Sequence, residues 1–243
     1  PAEAVENLVE TLRLDPNDAD AHNNLGNALA QTGRVGEAIR HFAQAVELQP
    51  GLVEAHYNLA QALLQSGRAA DAIVHYEEVV RLNPEYPHAY YSLGLAEVQM
   101  GRTADAIAHL GQAIRREPED AVVHGNFGKA LVQAGRLPEG IVQYQEAIRL
   151  KPGYAEAHYN LGNALVQASR LPEAVGQYEE AIRFKPDYAE AHNNLGSMLL
   201  RQGKAREARE QFEAAIQIKP DYAKARENLA RVPADRPSTG SNE

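Results

Sequence analysis

The sequence predicts an all-α protein built from repeated antiparallel helix pairs, and three regularities support that prediction. A small residue that usually follows Asn-Leu returns every 34 residues without insertion or deletion. Its positions are Gly26, Ala60, Gly94, Gly128, Gly162 and Gly196. Each period also holds two apolar stripes of helical spacing, separated by a glycine turn or a proline. A fixed period of this length is typical of a solenoid, in which each repeat packs on its neighbours.

The first half of each repeat predicts an amphipathic helix. Apolar or small residues fall at positions 4, 7, 8 and 11, counted from Ala19. In the fifth repeat these residues are His158, Leu161, Gly162 and Leu165. The second half predicts another helix, with the stripe at positions 20, 21, 24, 27 and 28. Both stripes follow the i, i+3, i+4, i+7 spacing of a helix that buries one side.

Turn residues mark where these helices end. Most repeats place Gly followed by Arg between the two helices, as in Gly33-Arg34. Glycine ends a helix there because it adopts the left-handed conformation without a Cβ clash. Ser169 replaces the glycine in the fifth repeat. A proline stops each second helix, at Pro50, Pro84, Pro118, Pro152, Pro186 and Pro220.

The period predicts the domain organisation. Six full repeats are expected at 19–52, 53–86, 87–120, 121–154, 155–188 and 189–222. Residues 1–18 match a second helix only, and the chain opens on Pro1, so we expect a fragment of a longer repeat array or of a larger protein. We expect 223–231 to form a polar capping helix and 232–243 to be a disordered tail.

The repeat resembles a known family. Leu-Gly in the first helix, followed by Ala, an aromatic residue and Pro in the second, is similar to the tetratricopeptide repeat. The second repeat shows the later part as Ala72, Tyr76 and Pro84. This resemblance covers about residues 1–231 and implies a right-handed α-α superhelix whose first helices line a concave groove. The third repeat departs from the pattern at Glu97, Leu110 and Arg116.

Composition excludes several function classes. The 243-residue chain carries a formal net charge of −9, which disfavours a nucleic-acid partner. It has no cysteine, so disulfides and thiol chemistry are excluded. No run approaches 18 apolar residues, so no membrane insertion is expected in this fragment. We expect a soluble protein, in the cytoplasm rather than the periplasm.

Nine histidines raise the question of a metal site. Five occupy position 4 of the first helix, namely His22, His56, His124, His158 and His192. Three occupy position 23 of the second helix, namely His41, His75 and His109. Histidines in register lie one repeat apart, and no HxxxH or HExxH motif occurs, so we expect packing roles, no metal and no cofactor. Without a phosphate-binding glycine loop or GxSxG motif, the isolated chain is not expected to be an enzyme.

The side of the first helices opposite the packing stripe is rich in amides and tyrosines. A primary amide both donates and accepts, so a row of them suits the backbone of an extended peptide, and Tyr adds apolar area. The predicted peptide-binding residues are Asn24, Asn58, Asn126, Asn160, Asn194, Tyr57, Tyr91, Tyr159, Asn27, Asn163, Gln65, Gln99 and Gln133. The alternative is that the Asn residues bridge neighbouring helices, because buried amides need partners in any case.

Two subtypes of the family help to define the ligand. Members that hold the C-terminal carboxylate of chaperones use Lys or Arg at positions 2, 5 and 6. Here position 2 is largely acidic, with Asp20, Glu54, Glu156 and Glu190. A neutral or basic segment is therefore expected rather than an acidic C-terminal tail. The Asn row is similar to the superhelical region of O-linked N-acetylglucosamine transferases, where Asn residues hold the substrate backbone.

The sequence therefore predicts a protein-interaction scaffold that binds an extended polypeptide segment in the concave groove. One alternative is a substrate-recruiting region of a larger enzyme, such as a glycosyltransferase, whose catalytic domain is absent. A second alternative is self-association, in which the apolar side of the helix predicted near the N-terminus packs end to end on another copy.

Overall fold

The computed structural model describes residues 2–233, which form fourteen α-helices and no strand. Within residues 2–116 and within residues 121–230, helices that follow one another pack side by side through short turns. The predicted all-α class of antiparallel helix pairs is confirmed. The described residues divide into two compact units, one within residues 1–118 and one within residues 119–243. The predicted tail at 232–243 lies outside the described residues except for its first two positions, of which Val232 is buried.

The first unit contains seven helices in its described part. They are α1 (Ala2–Leu14), α2 (Ala19–Gln31), α3 (Val35–Leu48), α4 (Val53–Gln65), α5 (Ala69–Leu82), α6 (Ala89–Gln99) and α7 (Thr103–Arg116). Its core runs between the pairs, with Leu25, Phe42, Leu59, Tyr76 and Leu93 all nearly inaccessible to solvent. The predicted apolar stripes therefore form this core.

The second unit also contains seven described helices. They are α8 (Ala121–Gln133), α9 (Leu137–Leu150), α10 (Ala155–Gln167), α11 (Leu171–Phe184), α12 (Ala189–Arg201), α13 (Ala205–Ile218) and α14 (Ala223–Ala230). Leu161, Tyr178, Leu195 and Phe212 belong to its core, and Val232 packs there after α14. The longest helices of the described chain have 14 residues, and none combines the length and apolar character needed to cross a bilayer.

Close contact inside each pair explains the recurring glycine of the first helix. A Cβ atom built on Gly162 would lie 2.7 Å from Cε1 of Tyr178. Tyr178 is itself 2% exposed, so its ring has little room to retreat. The missing side chain of the first helix thus makes space for the aromatic ring of the second.

The turn within each repeat has the backbone that its glycine predicts. Gly33 has φ 79°, and the following amide of Arg34 donates to the carbonyl of Leu29 at 3.0 Å. Ser169 adopts the same left-handed conformation with φ 60°, which a residue with a Cβ reaches only at a cost. His88 is the other described non-glycine residue with positive φ, at 55°, and it precedes the short helix α6.

Candidate functional site

All thirteen predicted peptide-binding residues lie on first helices, namely α2, α4 and α6 in the first unit and α8, α10 and α12 in the second. None of the thirteen is buried. We call this set, within each unit separately, the first-helix face. Most of its side chains lie outside the core, whereas Tyr57 and Tyr159 pack against the core of their own unit.

Some amides of the first-helix face join neighbouring repeats. Nδ2 of Asn58 donates to Oδ1 of Asn23, one repeat back, at 3.0 Å. In the second unit, Nδ2 of Asn194 donates to Oδ1 of Asn163 at 2.9 Å. For Asn58 and Asn194, the bridging role that the sequence left as an alternative is present, because one amide proton already has an internal acceptor.

Two buried asparagines form bridges of this kind and were not among the predicted peptide-binding residues. Asn23 and Asn193 are 8% and 0% exposed, although both precede the residues that the Asn row singled out. Asn193 accepts a 2.8 Å hydrogen bond from Nδ2 of Asn228 on α14. The available signal is an Asn followed 35 residues later by another Asn, which occurs for both pairs.

Other amides of the face remain available to a ligand. Within residues 2–233 no side-chain hydrogen bond forms at Asn24, Asn27, Asn160, Gln65, Gln99 or Gln133. Asn160 is half-buried on α10, whereas Asn24 is exposed on α2. Asn126 donates to the carbonyl of Val122 in its own helix at 3.1 Å. The predicted row therefore contains both bridging amides and amides with free donors and acceptors.

The tyrosines of the face belong to aromatic clusters. The ring of Tyr57 lies 5.7 Å from that of Tyr76 and 5.0 Å from that of Tyr86. Its hydroxyl lies 3.3 Å from Oγ of Ser92 in the next first helix. Burial, and then the nearby Glu54 carboxylate, raise the pKa of Tyr86. Tyr57 is thus held in place while part of its ring stays accessible.

An equivalent cluster forms three repeats later, around Tyr159. Its ring lies 6.0 Å from that of Tyr178 and 4.8 Å from that of Tyr188. The hydroxyl of Tyr178 donates to Oδ1 of Asn163 at 2.8 Å, so the cluster and the amide bridge share an atom.

Tyr91, the third predicted tyrosine of the face, is half-buried on α6 in the first unit.

The acidic residues at position 2 differ between the two units. In the second unit, Glu156 pairs with Lys185 at 3.3 Å, and Glu190 lies 3.7 Å from Lys219. In the first unit, Asp20 and Glu54 are exposed and form no ion pair with a described residue. The uncompensated negative charge beside the first-helix face is therefore concentrated on α2 and α4.

Histidines pair across the two helices of a repeat, through a contact that was not predicted from the sequence. Nδ1 of His22 lies 3.0 Å from Nδ1 of His41, and the same atoms of His56 and His75 are 3.1 Å apart. The partners are 19 residues apart in sequence, which joins position 4 to position 23. Burial, and then the neighbouring histidine, lower the pKa of His41 and of His75.

The later repeats replace the second histidine by glutamine. Nδ1 of His158 lies 2.8 Å from Oε1 of Gln177, and its Nε2 lies 2.9 Å from the carbonyl oxygen of Pro152. The Gln177 side chain and the Pro152 carbonyl therefore contact the two ring nitrogens of His158 and fix the orientation of the ring. His192 repeats this arrangement with Gln211 at 2.7 Å.

In the third repeat, position 23 has a different partner. Position 4 is Tyr90 there, and Nδ1 of His109 instead lies 2.8 Å from Oε2 of Glu97. Glu97 is completely buried at a position where the other five repeats have leucine. Its Oε1 has no hydrogen-bond partner among the described residues, and Arg102 approaches it only to 3.9 Å.

Comparison with known proteins identifies the repeat. Residues 2–195 match the family described as the cilia and flagella-associated protein 70 C-terminal domain, and residues 189–222 match the tetratricopeptide repeat. No curated protein matches the sequence.

Solved structures have the same fold. A chain of the APC/C hetero-tetramer Cut9–Hcn1 is 19% identical with a TM-score of 0.71, over 96% of this chain and 46% of that one. This chain therefore spans less than half of that relative. YrrB, a TPR protein with an unusual peptide-binding site, is 24% identical with a TM-score of 0.68, over 77% of this chain and 96% of its own. MamA is 26% identical with a TM-score of 0.65, over 68% of this chain and 97% of its own. The chain belongs to the tetratricopeptide-repeat family.

Proposed function

We propose that the chain is a non-catalytic scaffold that binds an extended polypeptide segment along the first-helix face. The observation that carries the proposal is the row of accessible amides, several without an internal partner, beside anchored tyrosines. The tetratricopeptide-repeat family is generally non-catalytic, and its relative YrrB is a peptide-binding protein by its description. Both points favour a protein or peptide partner.

The chemistry of the face suits a peptide backbone. The free amide of Asn160 offers a donor and an acceptor, which match the C=O and N–H groups of one extended residue. Oδ1 of Asn58 stays available as an acceptor, because the bridge to Asn23 uses only Nδ2. Bridged amides have a fixed orientation, so a ligand does not have to order them when it binds.

Charge sets a preference among ligands. Asp20 and Glu54 repel an acidic segment, and no cation stands at position 5 to offset them. In the second unit, Lys185 and Lys219 compensate the charge of Glu156 and Glu190. The face of that unit should therefore discriminate less between acidic and basic ligands. A neutral or basic segment is the expected partner rather than an acidic C-terminal tail.

Arrays of extended ten-residue peptides of mixed sequence test this function. The wild type should bind a subset in which side-chain substitutions are tolerated, while N-methylation of the peptide backbone abolishes binding. Asn160→Ala and Asn24→Ala should weaken binding, each by about 0.5–1.5 kcal/mol for one lost hydrogen bond. Gln217→Ala removes an exposed amide from α13, outside the face, and serves as the matched control. Undiminished binding by the Asn160→Ala, Asn24→Ala double variant would refute the proposal.

The two alternatives from the sequence remain predictions with their own tests. Recruitment of substrates to a larger enzyme requires that peptides selected on the array be substrates of that enzyme. Self-association through the apolar side of α1, where Val9 is 52% exposed, requires a mass that rises with concentration in light scattering. A concentration-independent monomer mass would exclude it.

A further inference from the structure

Two histidine pairs in the first unit place imidazole nitrogens at the separation of neighbouring ligands on one metal ion. The Nδ1 atoms are 3.0 Å apart in His22–His41 and 3.1 Å apart in His56–His75. If both nitrogens bound one ion through bonds of about 2.05 Å, the N–metal–N angle would be about 95°. This is close to the right angle between adjacent ligands in the tetragonal geometry of Cu²⁺, and smaller than the tetrahedral angle typical of Zn²⁺.

Backbone carbonyls orient the first histidine of each pair for this role. Nε2 of His22 lies 3.1 Å from the carbonyl oxygen of Pro16, and Nε2 of His56 lies 3.1 Å from that of Pro50. The ring proton must sit on Nε2 to donate to the carbonyl, which leaves the Nδ1 lone pair facing the second histidine. Metal-binding histidines commonly have their other nitrogen held by a carbonyl in this way.

Solvent reaches both histidines of the first pair and His75 of the second, whereas His56 is buried. His22 and His41 line a surface cavity of about 460 Å³ between α1, α2 and α3, and Gln44 lies beside them. His75 lines a second surface cavity of about 300 Å³ between α3, α4 and α5. An ion held by two nitrogens therefore keeps its remaining coordination positions open to water or to a further ligand.

We infer that His22–His41 and His56–His75 each bind one Cu²⁺ ion through their two Nδ1 atoms. In the ion-free chain, Nδ1–H of His41 donates to Nδ1 of His22, and His75 does the same to His56. When the ion binds, that proton transfers through solvent to Nε2 of the same ring, so both ligands are neutral imidazoles and no net proton is released.

The chain itself provides the matched controls. Repeats four to six retain the position 4 histidine but carry glutamine at position 23, namely Gln143, Gln177 and Gln211. An amide does not replace imidazole as a nitrogen ligand for Cu²⁺. Binding through two imidazole nitrogens should therefore be confined to the first two repeats, and His→Gln changes there reproduce a pairing that the same fold already accepts.

Titration of the full chain with a Cu²⁺ salt in a non-coordinating buffer tests the inference. Calorimetry should give two ions per chain, and electron paramagnetic resonance should show two nitrogen ligands per ion. His41→Gln should remove one ion, His75→Gln the other, and the double variant both. Because even outer-shell changes weaken metal sites about 10–100-fold, loss of a ligand should weaken the affected site at least that much. Circular dichroism verifies that the variants are folded.

A gain of binding gives an independent result. Gln177→His creates the same pair with His158, whose Nε2 is already oriented by the carbonyl of Pro152 at 2.9 Å. This variant should bind three ions. The inference is wrong if the His41→Gln, His75→Gln double variant binds Cu²⁺ with wild-type stoichiometry and affinity, since the other histidines would then be the ligands. It is equally wrong if the wild-type spectra show no paired nitrogen ligands.

Discussion

Asn58 donates a 3.0 Å hydrogen bond from Nδ2 to Oδ1 of Asn23, which is 8% exposed and lies one helix pair earlier. Asn58→Ala removes the donor and leaves a buried acceptor without its partner. Such a loss costs about 1–3 kcal/mol, so we expect a reduced free energy of unfolding. Urea denaturation followed by circular dichroism measures the change.

Asn160→Ala is the control, because Asn160 occupies the same repeat position without a side-chain hydrogen bond to any described residue. We expect its free energy of unfolding to stay within about 0.5 kcal/mol of the wild type. Equal effects of the two substitutions would contradict the assignment of bridging and free amides. The comparison also shows which variant can report on ligand binding without a change in stability.

The helix pairs could be predicted from the sequence because they depend on local information. A strict 34-residue period, apolar stripes and turn residues all act within one repeat. Even the conformation at Ser169 follows from its alignment with the glycines of the other turns, and the structure has φ 60° there.

The contacts of the face required the packed structure. Whether Asn58 meets Asn23 depends on how closely two first helices approach, which periodicity does not specify. The His22–His41 contact likewise depends on how the helices of one repeat cross. Both leave a weak signal in the sequence, since their separations of 35 and 19 residues recur in other repeats. Glu97 stood out as a departure from the pattern, but its partner His109 could not be named from spacing.

The Glu97–His109 pair predicts pH-dependent stability. The hydrogen bond to Glu97 raises the pKa of His109, and burial opposes this rise. A histidine whose pKa is raised on folding stabilises the fold fully below its unfolded pKa of about 6.5. That contribution is lost as pH rises through the folded pKa, which lies above the ordinary value.

Denaturant unfolding at a series of pH values from 5.5 to 9 checks the sign. His109→Gln, which places in the third repeat the glutamine found at this position in repeats four to six, removes the titrating group. The free energy of unfolding of the wild type, compared with that of this variant, should fall as pH rises above about 6.5. A difference that grows with pH would contradict the interpretation of the pair.

Glu97→Leu should stabilise the chain at pH 8. Leucine occupies this core position in the other five repeats, and Oε1 of Glu97 has no partner among the described residues. Replacing buried charged groups by apolar side chains is often neutral or stabilising by about 1–4 kcal/mol. His109 is partly exposed, so solvent can hydrate it after the change.

Thermal unfolding of Glu97→Leu alongside Glu97→Gln separates charge from packing. The glutamine variant removes the charge but keeps a buried polar group, so it should gain less than the leucine variant. A lower melting temperature for Glu97→Leu than for the wild type would mean that the carboxylate contributes more than its burial costs.

Ser169→Gly should stabilise the turn between α10 and α11. Ser169 has φ 60°, a left-handed conformation that costs a residue with a Cβ about 1–2 kcal/mol. The greater freedom of glycine in the unfolded chain offsets about 0.4–1 kcal/mol of this gain. We therefore expect the free energy of unfolding to rise by about 0.5–1 kcal/mol, as the difference of these two effects. The reciprocal change Gly135→Ser, at the same turn one repeat earlier with φ 77°, should lower it by a similar amount. If both changes shifted the urea midpoint in the same direction, backbone conformation would not be the cause.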